Sequence, residues 1–322
     1  VLANQTPAAL CEDTAGSGTV VGVNLTAEEA ALGIPSPLPA GAAVVWYNGA
    51  TDITATAATT TVADGDIYTV EYTDENGCVA TGTVTYMVNA LPTASVTGGV
   101  LSCTNPTIPI SATTDAVNAT YVWAASNGGI IVIDGNEATA TPTVSAAGDY
   151  TVTVTNLNGC SNTATNSVTT DSSLPTATAG AAQVIDCTNA TATLDGSLSS
   201  AGANISYAWS VISGTGTITA GGSTNTATVD GAGTFELLVT NTDNGCTSTS
   251  QVIVTEDITA PVADAGLTQV IDCTNVTATL DGSLSSTGAS ITYAWSVISG
   301  AGTITAGGST NTATVDGAGT FE

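Results

Sequence analysis

Seven cysteines carry the most definite chemistry in this sequence: Cys11, Cys78, Cys103, Cys160, Cys187, Cys246 and Cys273. None has the close CxxC spacing of a zinc or redox site. The chemistry open to them is disulfide formation, which points to an oxidising, extracellular setting. Alternate cysteines follow Asn-Gly (Cys78, Cys160 and Cys246), so the spacing predicts the pairs Cys11–Cys78, Cys103–Cys160 and Cys187–Cys246. Cys273 is left over, and its expected partner lies outside the chain. Closing loops of this size contributes about 4 kcal/mol each in the chain-entropy model.

Other chemistry is scarce. The chain has 27 acidic residues, no Lys, no Arg and no His, giving a formal net charge of -27. Without His or Lys, a Ser or Cys nucleophile has no ordinary general base. The carboxylates are scattered, and Asp195/Asp281 and Asp230/Asp316 recur in register along the chain. No enzyme is expected. Phosphate recognition needs cations that are missing here, so nucleic acid and anionic membrane surfaces are excluded as partners. No apolar run is long enough to span a bilayer. Metal binding by oxygen ligands remains open. Glu256, Asp257 and Asp264 flank Pro261 with no basic residue to offset them. Hard cations take such carboxylates, so these three are the candidate ligands for Ca²⁺, the only cofactor considered.

The elements that position these residues are repeated. The stretch beginning at Gln183 recurs from Gln269 with an offset of 86 residues. Only five positions differ: Ala190/Val276, Ala201/Thr287, Asn204/Ser290, Ser206/Thr292 and Thr215/Ala301. A diverged copy runs from Leu91 to Thr170, and a more distant one precedes it. The expected division is 1–89, 90–173, 174–258 and 259–322. The last stretch is expected to be cut before its final strand. Its terminal VDGAGTFE recurs at Val229–Glu236, where it runs on into LLVTN.

Within one repeat, short runs rich in Val, Ile, Thr and Tyr alternate with Gly, Asn and Ser clusters. TFELLVTN places Phe235, Leu237 and Val239 on one face, and DYTVTVTN does the same with Tyr150, Val152 and Val154. Helical periodicity is confined to TAEEAALG at Thr26–Gly33. Seven short strands with a Cys…Trp…Cys order predict an all-β chain of tandem immunoglobulin-like β-sandwiches. Trp46, Trp123, Trp209 and Trp295, one per repeat, are expected to anchor the cores. Short junctions with Pro92, Pro175 and Pro261, together with a purely anionic chain, predict an extended array.

TLDGSLSSAGANISYAWS resembles the PKD domain, an immunoglobulin-like module with an LDGS turn and a YxW strand. Leu194, Asp195, Gly196, Ser197, Tyr207 and Trp209 match, as do Leu280–Ser283, Tyr293 and Trp295. The family's WxFGDG turn is replaced by WSVISG. The second repeat keeps Tyr121 and Trp123 without the LDGS turn, and the first resembles the wider immunoglobulin-like set. Arrays of this kind are similar to the giant repetitive surface adhesins of Bacteroidetes, including those of gliding cells exported by the type IX pathway. The resemblance implies a non-catalytic stretch of a large cell-surface protein, forming a stalk or filament for adhesion. Its partners would be further repeats or filament neighbours. The alternatives are repeats that bind surface glycans directly, and a spacer in a secreted polysaccharide-degrading enzyme.

Overall fold

The computed structural model describes residues 1–322. The chain forms two compact units: Val1–Leu174 with Asn241–Cys246, and Pro175–Thr240 with Thr247–Glu322.

The third repeat is the clearest sandwich. One sheet has four strands in the order Gln183–Asp186, Thr247–Asp257, Gly233–Asn241, Ile205–Gly214. The other has three, in the order Ala192–Asp195, Thr226–Val229, Ile218–Ala220. Gln183–Asp186 runs parallel to the last strand, with Asp186 opposite Asp257. The remaining assigned pairs, which include Gly233–Asn241 with Thr247–Asp257, are antiparallel. The period-2 pattern sets the inner face. Phe235, Leu237 and Val239 are fully buried, and they close on Leu194, Val229 and Trp209.

The PKD-like motif has a local physical explanation. The Asp195 carboxylate accepts the Ser197 N–H at 2.9 Å, closing an Asx turn. Gly196 donates its N–H to the Asn225 carbonyl at 2.7 Å, and a Cβ there would meet that oxygen at 2.5 Å. Only glycine allows the approach. The Tyr207 hydroxyl donates to the Ser200 carbonyl at 2.8 Å, and the Trp209 indole N–H donates to the Thr224 carbonyl at 3.1 Å. Each amphipathic ring buries its body and satisfies its polar tip.

The second repeat has the same four-stranded arrangement: Gly99–Ser102, Ser161–Asp171, Gly148–Thr155, Thr120–Ser126. Tyr150, Val152 and Val154 point inward, as their alternation requires. The first repeat forms a sheet of Thr51–Asp52, Ala43–Asn48, Ile67–Thr73 and Val79–Thr85 over the pair Thr19–Val23 and Thr60–Ala63. Its one helical segment with an apolar stripe is a 3-10 turn at Leu25–Glu28 followed by Glu29–Leu32, capped by Gly33 in the left-handed region. The segment buries Leu25 and Leu32, which is why helical periodicity shows in TAEEAALG.

The four tryptophans are all tied inward by their indole N–H groups. Trp46 donates to Glu29 Oε1, Trp123 to the Thr139 carbonyl and Trp295 to the Thr310 carbonyl. Trp46 and Trp209 are buried, whereas Trp123 and Trp295 are half-buried.

Candidate functional site: the junction between neighbouring sandwiches

The disulfides differ from those expected. Cys11 bonds Cys160, with Cα atoms 5.6 Å apart, and Cys103 bonds Cys246 at 5.0 Å. Cys78, Cys187 and Cys273 are exposed thiols. The expected pairs Cys11–Cys78, Cys103–Cys160 and Cys187–Cys246 do not form. Each observed bond crosses from one repeat to the next.

Strand polarity is the reason. The first strand of a sandwich runs parallel to its last strand, so both finish at the same end. Cys103 follows Ser102, which lies opposite Asp171 at the end of Ser161–Asp171. Cys160 precedes Ser161, at the start of that strand. Eleven residues of strand put these two cysteines about 33 Å apart, whereas a disulfide needs roughly 4.4–6.8 Å between Cα atoms. The third repeat is built the same way. Cys187 follows Asp186, opposite Asp257, and Cys246 precedes Thr247. The first cysteine of each sandwich therefore lies at the end where the chain leaves. The second lies at the opposite end, where the chain arrives from the repeat before.

The polar groups at the first junction reinforce its staple. Glu12, next to Cys11, is only 3% exposed. Its carboxylate accepts three backbone N–H groups, from Gly16 at 2.7 Å, Gly18 at 2.7 Å and Leu91 at 2.9 Å. These bonds, led by those from Gly18 and Gly16, hold its carboxyl below the ordinary glutamate range. Leu91 belongs to the linker, so Glu12 ties the first sandwich to the start of the second. From the other side, Asn156 donates its side-chain amide to the Ala90 carbonyl at 3.0 Å and Asn162 donates to the Pro92 carbonyl at 2.9 Å.

The second staple has a comparable support. Asn244 is 1% exposed, and its side-chain amide donates to Asp171 Oδ1 at 2.9 Å and to the Ser173 carbonyl at 3.0 Å. The bond from Asn244 is the leading cause of the lowered pKa of Asp171. The Asn244 carboxamide oxygen accepts the Cys246 N–H at 2.9 Å, and its backbone carbonyl accepts the Thr104 N–H at 3.4 Å. The TDNGC turn is thus fastened on both flanks of its cysteine.

The three candidate calcium ligands have separate local roles. Glu256 Oε1 accepts the Ala232 N–H at 2.9 Å, Asp264 Oδ1 accepts the Gly266 N–H at 2.8 Å, and Asp257 closes the strand Thr247–Asp257. No group of three or more His, Cys, Asp or Glu side chains gathers anywhere in the chain. Sequence reasoning singled out the cysteines as the chemical groups of interest and missed Glu12 and Asn244. Nothing in composition marks those two. Their role depends on which backbone the fold brings beside them.

Residues 179–255 match the model of a PKD domain family. No curated protein matches. Among solved structures, the chain is similar to the PKD domain of the KIAA 1837 protein, with 30% identity over 27% of this chain and 92% of that one, at a TM-score of 0.23. It is also similar to the PKD domain of human KIAA0319, with 16% identity over 26% of this chain and 83% of that one, at a TM-score of 0.22. The eight N-terminal immunoglobulin domains of Down Syndrome Cell Adhesion Molecule match at 13% identity and a TM-score of 0.38, over 80% of this chain. The chain spans 36% of the length of that structure. No helix is long and apolar enough to cross a membrane. By its strand topology the chain is a tandem array of immunoglobulin-like β-sandwiches, of which residues 179–255 match the PKD family model.

Proposed function

We propose that this chain is a non-catalytic, load-bearing stretch of an extracellular adhesion array, a stalk or filament segment held at a cell surface. The observation that carries this reading is the pair of disulfides spanning successive repeats. A disulfide inside one sandwich would protect that sandwich alone. One that crosses a junction limits how far the chain can extend when the two sandwiches it joins unfold. The two loops also overlap, because Cys103 lies inside the span of Cys11–Cys160 and Cys160 inside that of Cys103–Cys246. The absence of Lys and Arg fits an exposed stalk, since trypsin-like proteases have nowhere to cut. A spacer array attached to a catalytic domain would share this chemistry, whereas gliding motility or direct glycan capture requires a partner-facing site as well.

Single-molecule pulling from the two ends tests the reading. With both disulfides intact, the shortest covalent path from residue 1 to 322 uses about 146 residues, or about 50 nm when fully extended. After reduction all 322 residues extend, to about 115 nm. Equal lengths in the two states would remove the basis of the proposal.

A further inference from the structure

Asparagine precedes glycine at Asn48, Asn76, Asn127, Asn158 and Asn244, and three of these pairs lie directly before a cysteine: Cys78, Cys160 and Cys246. Asparagine before glycine is open to self-modification. The next backbone nitrogen can attack the carboxamide carbon, and glycine has no side chain to block the approach. The carboxamide must first turn toward that nitrogen, so the hydrogen bonds that hold it decide which pairs react.

The turns at Cys78 and Cys160 are built alike. The residue that opens each, Asp74 or Asn156, accepts the cysteine N–H on its side-chain oxygen, at 2.8 Å and 3.0 Å. The same oxygens accept the N–H of Asn76 at 2.9 Å and of Asn158 at 3.0 Å. The carboxamides of Asn76 and Asn158 are left without a hydrogen bond, and both residues are exposed. The turn at Cys246 is one residue longer, from Asn241 to Cys246. There the cysteine N–H goes to Asn244 itself, whose amide also donates to Asp171 and Ser173. The glycine N–H is bonded in all three turns, from Gly77 to Asp74 and Gly159 to Asn156 at 3.0 Å and from Gly245 to Asn241 at 2.7 Å, so it does not separate them. Elsewhere, Asn48 is exposed with an unbonded carboxamide, whereas Asn127 donates to Asp149 Oδ2 at 2.6 Å.

We infer that Asn158-Gly159 is a self-modification site that ages the first staple, and that the second staple is spared because Asn244 is locked. The Gly159 nitrogen loses its proton and bonds to the Asn158 carboxamide carbon, and ammonia leaves with that proton. The product is a five-membered succinimide. Water then opens the ring at either carbonyl, giving aspartate or isoaspartate. One water enters and one ammonia departs, and no oxidant is needed.

Isoaspartate routes the backbone through the side-chain carbon and adds one carbon to the main chain between positions 158 and 159. That insertion falls inside the turn closed by Asn156 N–H on the Cys160 carbonyl and by Gly159 N–H on Asn156, both at 3.0 Å. The turn must reopen, and it carries the cysteine bonded to Cys11. Asn76 reacts in the same way, but its neighbour Cys78 holds no staple.

The test incubates the full oxidised chain in mildly alkaline buffer and follows each pair by peptide mass spectrometry with isoaspartyl methyltransferase labelling. Asn158 and Asn76 should convert alongside Asn48. Asn244 should convert at least about 100-fold more slowly, since three hydrogen bonds must break together before its carboxamide can turn. In the reduced chain unfolded by guanidinium, all five should convert at comparable rates. Asp171→Ala removes one acceptor of the Asn244 amide and should speed its conversion about tenfold. In the aged chain, dithiothreitol should reduce Cys11–Cys160 severalfold faster than in fresh protein, with Cys103–Cys246 unchanged. Asn158→Gln, whose attack would close a slower six-membered ring, should hold that reduction rate constant through the incubation. Asn244 converting as fast as Asn158 in the folded chain, Asn158 staying intact while Asn48 converts, no acceleration in Asp171→Ala, or equal reduction of fresh and aged Cys11–Cys160 would each overturn the inference.

Discussion

The third and fourth repeats contain nearly the same residues and do not bury them equally. Leu194 is fully buried, and its counterpart Leu280 is half-buried. Trp209 is 7% exposed, and Trp295 is only half-buried although its indole bond to Thr310 repeats the one to Thr224. Ile205–Gly214 is a continuous strand, whereas in the fourth repeat only Val297–Gly300 is. The five differing positions are mild and do not explain this. The difference lies in the cover. In the third repeat Leu237, Val239, Val252 and Val254 come from Gly233–Asn241 and Thr247–Asp257 and close the core. Beside the fourth repeat, Gly319–Phe321 pairs only with Val297–Gly300. Strand and core are cooperative properties, and a β-prone segment without a ladder partner leaves its backbone groups to water. Some features survive the difference. The Asp281 turn onto Ser283, the Tyr293 bond to Ser286 and the Thr303 bonds to Asp316 repeat those of the third repeat with nearly the same lengths.

The largest expected effect concerns the staples that join the first three repeats. Cys103→Ser with Cys160→Ser removes both staples and should destabilise the stapled repeats by up to about 5 kcal/mol per bond, given loops of 149 and 143 residues in the chain-entropy model. Chemical denaturation of oxidised and mutant protein measures this, and the fourth repeat should be unaffected. Next comes the core. Leu194→Ala should cost about 2–5 kcal/mol, and Leu280→Ala about 1 kcal/mol or less, because a half-buried side chain has less transfer energy to lose and leaves no sealed cavity. Equal losses at the two sites would break the comparison.

Hydrogen exchange should follow the same contrast on a smaller scale. Amides of Ser206–Ala208 are expected to exchange more slowly than those of Thr292–Ala294, because only the former lie in a strand of the four-stranded sheet. The next effect is that of pH on the first junction. The Glu12 carboxyl is held below its ordinary value, so its contribution is present above the unfolded-state pKa and is lost as pH falls through the folded value. Acidification from pH 7 to about pH 3 should loosen the Glu12–Leu91 tie. Glu12→Gln should remove much of that pH dependence, read as amide exchange at Gly16, Gly18 and Leu91. The smallest effect sharpens the comparison by its equality. Asp230→Ala and Asp316→Ala remove the same bonds to Thr217 and Thr303, so the two should shift melting by the same small amount.

The fold was largely legible in the chain because alternation is a local signal. Phe235, Leu237 and Val239 could be assigned to one face from spacing alone, as could Tyr150, Val152 and Val154, and each is buried. The Asp195–Ser197 turn and the Tyr207 and Trp209 anchors were equally readable, since each depends on residues close in sequence or repeated in register. The junction was not. Glu12 is an ordinary exposed acid on paper, and its three N–H partners include Leu91, 79 residues away. Asn244 is one polar residue in a turn-rich stretch until Asp171 and Ser173 are brought beside its amide.

Composition, period and spacing alone determined a chain without cations, folded as repeated sandwiches, with cysteines as its reactive groups. The tertiary structure decided which cysteines meet. Pairing within a repeat follows from proximity along the chain, and it fails because the first strand lies parallel to the last. That polarity sends the two cysteines of one sandwich to opposite ends, about 33 Å apart, and brings each bonded one beside a neighbour's. Strand direction within a sheet is a long-range property, set by how the sandwich closes, and no local residue pattern encodes it.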